Sequence, residues 1–181
     1  ADEFDDAALR GDTFYASVAV GGVDHQASLT TTAPFALNNP PGNDVDLIVL
    51  AVTMGYVSGT LGGGFLAAAK YFEDSLKVRP SGTLCVARGS LRLTDGFGKM
   101  SGVPLETVTL TAGAVLLFPV CDIAPKLATT AANSPPDIYD LKYRVIVPPG
   151  GTFVLSGVAG AGGAAPRVTL GCFWKEVKRL V

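Results

Sequence analysis

Between Asn38 and Gly64 the chain reads NNPPGNDVDLIVLAVTMGYVSGTLGGG, and few folds can house such a run. Pro40 and Pro41 have no N–H to give a sheet ladder and sit in a turn cluster. Gly59 and the triplet Gly62, Gly63 and Gly64 break the chain at the far end. The interval Val45 to Val57 reads as one strand. Its odd positions carry Val45, Leu47, Val49, Ala51, Thr53 and Val57, and its even positions Ile48, Leu50, Val52, Met54 and Tyr56, so neither face is polar between Leu47 and Val52. A strand apolar on both faces must be covered on both. A second sheet supplies one cover; the other falls to a loop, a chain terminus or a neighbouring subunit.

The remaining punctuation fits the same reading. A chain of 181 residues with 22 glycines and 12 prolines, and with Val, Leu, Thr and Phe in short runs, points to an all-β protein. At this length one domain buries roughly two thirds of its unfolded surface. Further strands are expected at Thr13 to Val20, at Leu29 to Leu37 interrupted by Pro34, and at Phe65 to Phe72. Others follow at Thr83 to Leu93 with a bulge at Gly89, and at Thr107 to Thr111 and Ala114 to Cys121 about a hairpin or bend at Ala112 and Gly113. Leu141 to Val147 alternates, with Leu141, Tyr143, Val145 and Val147 inward and Lys142 and Arg144 outward; Phe153 to Val158 and Arg167 to Val177 complete the series. Strands at intervals of about 10 to 20 residues without βαβ spacing predict an antiparallel sandwich, for which the jelly roll is the common eight-strand solution. The fold expected is thus a jelly-roll-like β-sandwich over residues 13–181, preceded by an acidic arm, residues 1–12. Leu47, Val49, Phe153, Leu155, Leu170 and Trp174 are its expected core.

Chemistry is sparse. The formal charge of −2 and pI near 5.3 give no general attraction to nucleic acid. Cys85, Cys121 and Cys172 are odd in number and sit in apolar runs, which favours buried free thiols and a reducing site of synthesis over a disulfide. No signal-like start and no apolar run of the ~18 residues that span a bilayer are visible, so the sequence reads as soluble, without membrane attachment. His25 is the only histidine, which excludes a multi-histidine metal cage within one chain. Beside Asp24 it reads as a turn residue, or more sharply as a pH-sensitive surface contact.

Asn43, Asp44 and Asp46 offer oxygens but lack the EF-hand spacing and its terminal glutamate. Gly62 to Gly64 lack the Lys and Ser/Thr of a phosphate loop, and Gly160, Gly162 and Ala165 fit GxGxxA ahead of Pro166 and a strand instead of a helix. Glu73, Asp74, Glu106 and Asp122 are scattered carboxylates that the sequence does not pair. Lys175, Lys178 and Arg179 suit an exposed strand end. No catalytic residue, cofactor or metal is therefore assigned.

Residues 1–12, ADEFDDAALRGD, hold Asp2, Glu3, Asp5, Asp6 and Asp12 against Arg10, with Phe4 and Leu9 the large apolar groups. Alone, such a segment does not offset its ordering entropy. It is a solvated tail, or an arm ordered along a partner with Phe4 and Leu9 as anchors and Asp5, Asp6 and Arg10 as charged contacts.

Two regions carry a resemblance. The Asn39, Pro40, Pro41, Gly42 turn before an apolar strand, the VSGTLG segment from Val57 to Gly62, and the turn Pro149, Gly150, Gly151, Thr152 leading to a last strand with Trp174 and Glu176 resemble small jelly-roll virion proteins of tailed bacteriophages. The match covers about a third of the chain. The resemblance implies a virion structural protein made in the host cytoplasm. It would be a head decoration or cement protein, commonly a homotrimer, partnered by itself and by the major capsid protein or another virion protein. The alternative is a tail-fibre or receptor-binding knob, a module binding carbohydrate or a cell surface. No alanine-rich or repeat stalk of the fibre kind is present, which favours the head. A hydrophobic fraction of 48% with no catalytic constellation suits an assembly subunit.

Overall fold

The computed structural model describes residues 10–26, 28–60, 64–72, 80–92, 100–122, 137–159 and 164–179. Its strands are β1 (Thr13–Ser17), β2 (Val23–Asp24), β3 (Thr32–Asn38), β4 (Val45–Thr60), β5 (Gly64–Phe72) and β6 (Ser81–Leu84). They continue with β7 (Ala87–Ser90), β8 (Val103–Thr109), β9 (Val115–Asp122), β10 (Asp137–Val147), β11 (Gly151–Ala159) and β12 (Ala164–Lys178). One sheet runs β10-β4-β12-β1-β7, with β2 also paired to β12; the other runs β6-β8-β3-β11-β5-β9. All pairings are antiparallel, and the two sheets form a sandwich. The facing orders β1-β12-β4-β10 and β3-β11-β5-β9 are consistent with a jelly roll, into which β6, β7 and β8 are inserted.

The core lies between the sheets. Leu47, Val49, Phe153, Leu155, Leu170 and Trp174 are all at most 1% exposed and belong to one cluster with Phe14, Phe35, Leu37 and Leu66. Each such side chain contributes about 1.5 to 3 kcal/mol by leaving water.

The doubly apolar strand has a local explanation. Trp174 pairs with Val49 and Phe173 with Ala51, so Leu50 is an extra residue on β4. A bulge changes the parity of the inward face. Leu47 and Val49 point to the core before it, and Val52 and Met54 after it. Alternation had read two equally apolar faces; the structure corrects this to one inward face that switches at Leu50. The need for outside cover shrinks to the half-buried Ile48 and Ala51, since Leu50 is itself buried. β10 breaks at the same level. Asp140 pairs with Ala51 and Val145 with Val49, Leu141 to Arg144 leave the ladder, and Lys142 adopts φ 50°. The clean alternation expected there is interrupted, although Leu141, Val145 and Val147 are buried as expected.

Other expectations are also corrected. Of the hairpin or bend expected between Thr107 to Thr111 and Ala114 to Cys121, the chain takes the bend, at Thr111 and Ala112, because β8 and β9 lie far apart in their sheet. The chain between them joins Leu110 and Ala114 to Ala36, Ala69, Val154 and Tyr71 in a second apolar cluster. Ala36 and Ala69 alternate with core-facing neighbours, so the cluster lies on the outer face of the sheet. Their small side chains leave room for the connection, and Tyr71 hydroxyl hydrogen-bonds Thr111 Oγ1. Thr83 to Leu93 is not one bulged strand: β6 and β7 sit in opposite sheets, and Gly89 pairs regularly with Tyr15. Pro34 is buried inside β3 without interrupting it, across from Thr107, whose φ of 50° departs from strand geometry.

Candidate interaction surface

The two long sides of the sandwich differ. On one, Cys85 and Val86 carry the chain from β6 in one sheet to β7 in the other. Cys85 N–H donates to Pro104 O at 3.1 Å, and Arg88 Nη1 donates to Cys85 O at 2.5 Å. On the opposite side lie the edge strands β9 and β10, with no such crossing among the described residues. There Val115, Leu116 and Leu117 on β9 and Ile138 and Ile146 on β10 are exposed, from 39% for Leu117 to 69% for Ile138. Between the edges is a cavity of about 370 Å³ lined by Tyr71, Leu117, Val147, Pro148 and Phe153, with Lys70 beside it.

Both edges are blunted against strand addition. On β9 the register shifts leave Leu117 and Val120 unpaired and Pro119 has no N–H; on β10 residues Leu141 to Arg144 leave the ladder. What this side offers a partner is therefore apolar side chains, not backbone hydrogen bonds.

Of the arm residues, Phe4, Asp5, Asp6 and Leu9 lie outside the described residues. Arg10 is exposed and its Nε lies 3.5 Å from Asp12 Oδ2, a local surface pair worth about 0 to 1 kcal/mol. Sheet bonding begins at Asp12, whose carbonyl accepts Glu176 N–H at 2.9 Å, one residue earlier than the arm boundary read from composition.

Asp44 and Asp46 face Lys178 and Arg179 at 4.0 and 3.4 Å, while Asn43 Nδ2 donates to Asn39 Oδ1 and Ser101 O. This turn is braced by the chain's own groups. Glu73 and Asp74, and the side chain of Asp122, lie outside what is described; Glu106 accepts Ala19 N–H at 2.8 Å. Lys175 is buried, which corrects its assignment to an exposed strand end; Lys178 and Arg179 are exposed.

His25 is corrected too. It is 6% exposed, its ring lies against Gly157 of β11, and neither ring nitrogen has a hydrogen-bond partner. Burial pushes its pKa down to about 4. Burial also pushes the Cys85 thiol up to about 12 and raises Cys172 well above the usual range; both are buried free thiols as expected, whereas Cys121 is a free thiol only half buried.

One structural role was not assigned from sequence. The Glu176 carboxylate accepts Ser101 N–H and Gly102 N–H at 2.9 Å and Trp174 Nε1–H at 3.2 Å, tying the segment before β8 to the last strand. Its signal was the Trp-x-Glu spacing, which puts both side chains on one strand face. Comparison with protein-family models, curated proteins and solved structures finds no match to this chain.

Proposed function

We propose that the protein is a non-enzymatic structural protein of a bacteriophage virion, a head decoration or cement protein that assembles with copies of itself on the shell. The observation that carries the assembly reading is the group of exposed apolar side chains on the two edge strands β9 and β10. Val115, Leu116, Leu117, Ile138 and Ile146 lie there, five exposed apolar residues against Leu84 and Val86 on the side crossed by the β6–β7 connection. Contiguous apolar surface of this kind marks contact sites, and closed cyclic assembly is the usual way to cover it. The virion assignment rests on the resemblance of the Asn39 to Gly42 turn, the Val57 to Gly62 segment and the terminal strand.

In this reading the β9/β10 side joins subunits and the acidic arm reaches the shell or an adjacent copy. Light scattering at micromolar concentration is expected to give a trimer. Leu116→Asp combined with Ile146→Asp should give a folded monomer, because both side chains are exposed and lie outside the core. An unaltered trimer in the double variant would move the interface elsewhere, and a wild-type monomer would count against self-assembly.

Removing residues 1–9, which stops short of the Asp12 to Glu176 bond, should leave the sandwich folded and abolish retention on particles. Phe4 and Leu9 are each worth at most about 1.5 to 3 kcal/mol by burial, so retention depends on several linked arms raising effective concentration. Salt should weaken it through the acidic residues. Equal binding by the truncated protein would make the arm a tail, and localisation to the tail tip in a few copies would favour the receptor-binding knob.

A further inference from the structure

We propose that the cleft between β2, β3, β8 and β12 is a binding site for a neutral saccharide. It encloses about 390 Å³, and its wall combines Gln26, Thr107, Thr109 and Glu106 with an apolar floor that includes Ala33 and Val108. Its charged groups are already fixed. Arg167 donates from Nε to Gly21 O at 3.1 Å, from Nη2 to Gly22 O at 2.7 Å and from Nη1 to Asp24 Oδ1 at 3.1 Å. Gly22 makes this possible. At φ 73° its backbone lies so close to β12 that a Cβ would meet Val168 O and Val57 Cγ2 at 2.9 Å. Glu106 is held by the Ala19 N–H on Oε2, which leaves Oε1 without a hydrogen bond among the described residues.

This inventory selects a ligand class. Arg167 is balanced by Asp24, and Glu106 adds an unbalanced negative charge, so an anion is repelled. A metal ion has no three-member cluster of His, Cys, Asp or Glu to hold it among the described residues. What remains are groups that both donate and accept: the Thr107 and Thr109 hydroxyls and the Gln26 amide, which line the cleft and make no side-chain hydrogen bond among the described residues. They stand beside a carboxylate acceptor and an apolar floor. Vicinal hydroxyls on a ring with an apolar C–H face complement that combination. Thr107 adds an independent sign. A β-branched residue at φ 50° is strained, and such strain concentrates at ligand sites. The inference concerns this cleft alone and does not depend on where the protein sits in a particle.

The test is a ¹H–¹⁵N titration of the full chain with glucose, galactose and N-acetylglucosamine in turn. At least one should give saturable shifts confined to the Gln26 and Thr107–Thr109 amides with a millimolar dissociation constant. Gln26→Ala and Thr109→Val, at half-exposed and exposed positions, should keep the rest of the spectrum and weaken binding by about five-fold each, the effect of one hydrogen bond. The proposal is overturned if none of the three sugars shifts these amides, or if the variants bind as tightly as wild type. It is also overturned if calcium chloride or lysine amide saturates the cleft and the sugars do not.

Discussion

Trp174→Ala is expected to lower the free energy of unfolding by roughly 3 to 5 kcal/mol, the range for large aromatic deletions from a packed core. The indole is fully buried, tilted against Phe14 with ring centroids 5.9 Å apart, and its Nε1–H donates to Glu176 at 3.2 Å. The backbone above it is closely fitted. A Cβ on Gly102 would lie 3.2 Å from Trp174 Nε1 and 3.0 Å from Leu47 Cδ1, and Gly102 N–H is itself held by Glu176. Truncation therefore opens a cavity at the point where both sheets and the segment before β8 meet, and little can collapse into it.

Against a typical stability of about 5 to 15 kcal/mol, a loss of this size moves the urea midpoint far down with little change in slope. Trp174→Phe, which keeps most of the volume and loses the N–H, should cost less. Native emission should be that of a buried indole and should shift to the red on unfolding. Water-like emission from the native protein would place Trp174 outside the core and remove the inward face of β12.

What could be read in advance followed from local chemistry. The proline-containing turns before Val45 and before Gly151 bounded the starts of β4 and β11, because missing donors act within a few residues, whereas Gly59 lies inside β4 and Gly157 inside β11 without breaking either strand. The six inward residues lie in stretches where period-two alternation survives: Leu47 and Val49 ahead of the Leu50 bulge, Phe153 and Leu155 on β11, and Leu170 and Trp174 on β12. The errors arose where tertiary context overrides alternation. The Leu50 bulge reverses parity inside β4, which made one buried face look like two. Cys85 and Val86 cross between sheets inside a run that reads as one strand, and the chain from Leu110 to Ala114 packs across a sheet where the sequence left a hairpin or a bend open.

The exposed apolar residues of β9 and β10 were invisible for a related reason. Val115, Leu116 and Leu117 stand in an apolar run that the sequence reads only as a strand, and the strand order is what makes it an edge. His25 read as a turn residue because Asp24 and two glycines precede it, while the residue that houses its ring, Gly157, is distant in sequence.

That pairing makes the fold acid-sensitive in a defined window. In the unfolded chain the His25 imidazole titrates near 6.5, and in the fold burial pushes it down to about 4. Above pH 6.5 neither state binds the proton, and stability is independent of this group. Between 6.5 and 4 the unfolded chain takes up a proton that the folded chain refuses, so stability falls as the pH falls; below about 4 both states bind it and the loss levels off. Integrated across the window, the loss is about 3 kcal/mol. Carboxylates add their own pH dependence, so the informative quantity is the difference between wild type and His25→Phe, which keeps a ring in the same place and cannot titrate. Urea denaturation at a series of pH values should show the wild type losing stability relative to this variant from pH 6.5 to 4, and parallel profiles would remove His25 as the cause. Gly157→Ala supplies the geometric counterpart. Its Cβ would fall 1.9 Å from His25 Cε1 and 2.1 Å from Nε2, so the ring must leave its notch. Stability at neutral pH should drop by about 1 to 3 kcal/mol, as overpacking does. The displaced imidazole, restored to water, should titrate near its ordinary value by NMR and take the acid-sensitive window with it.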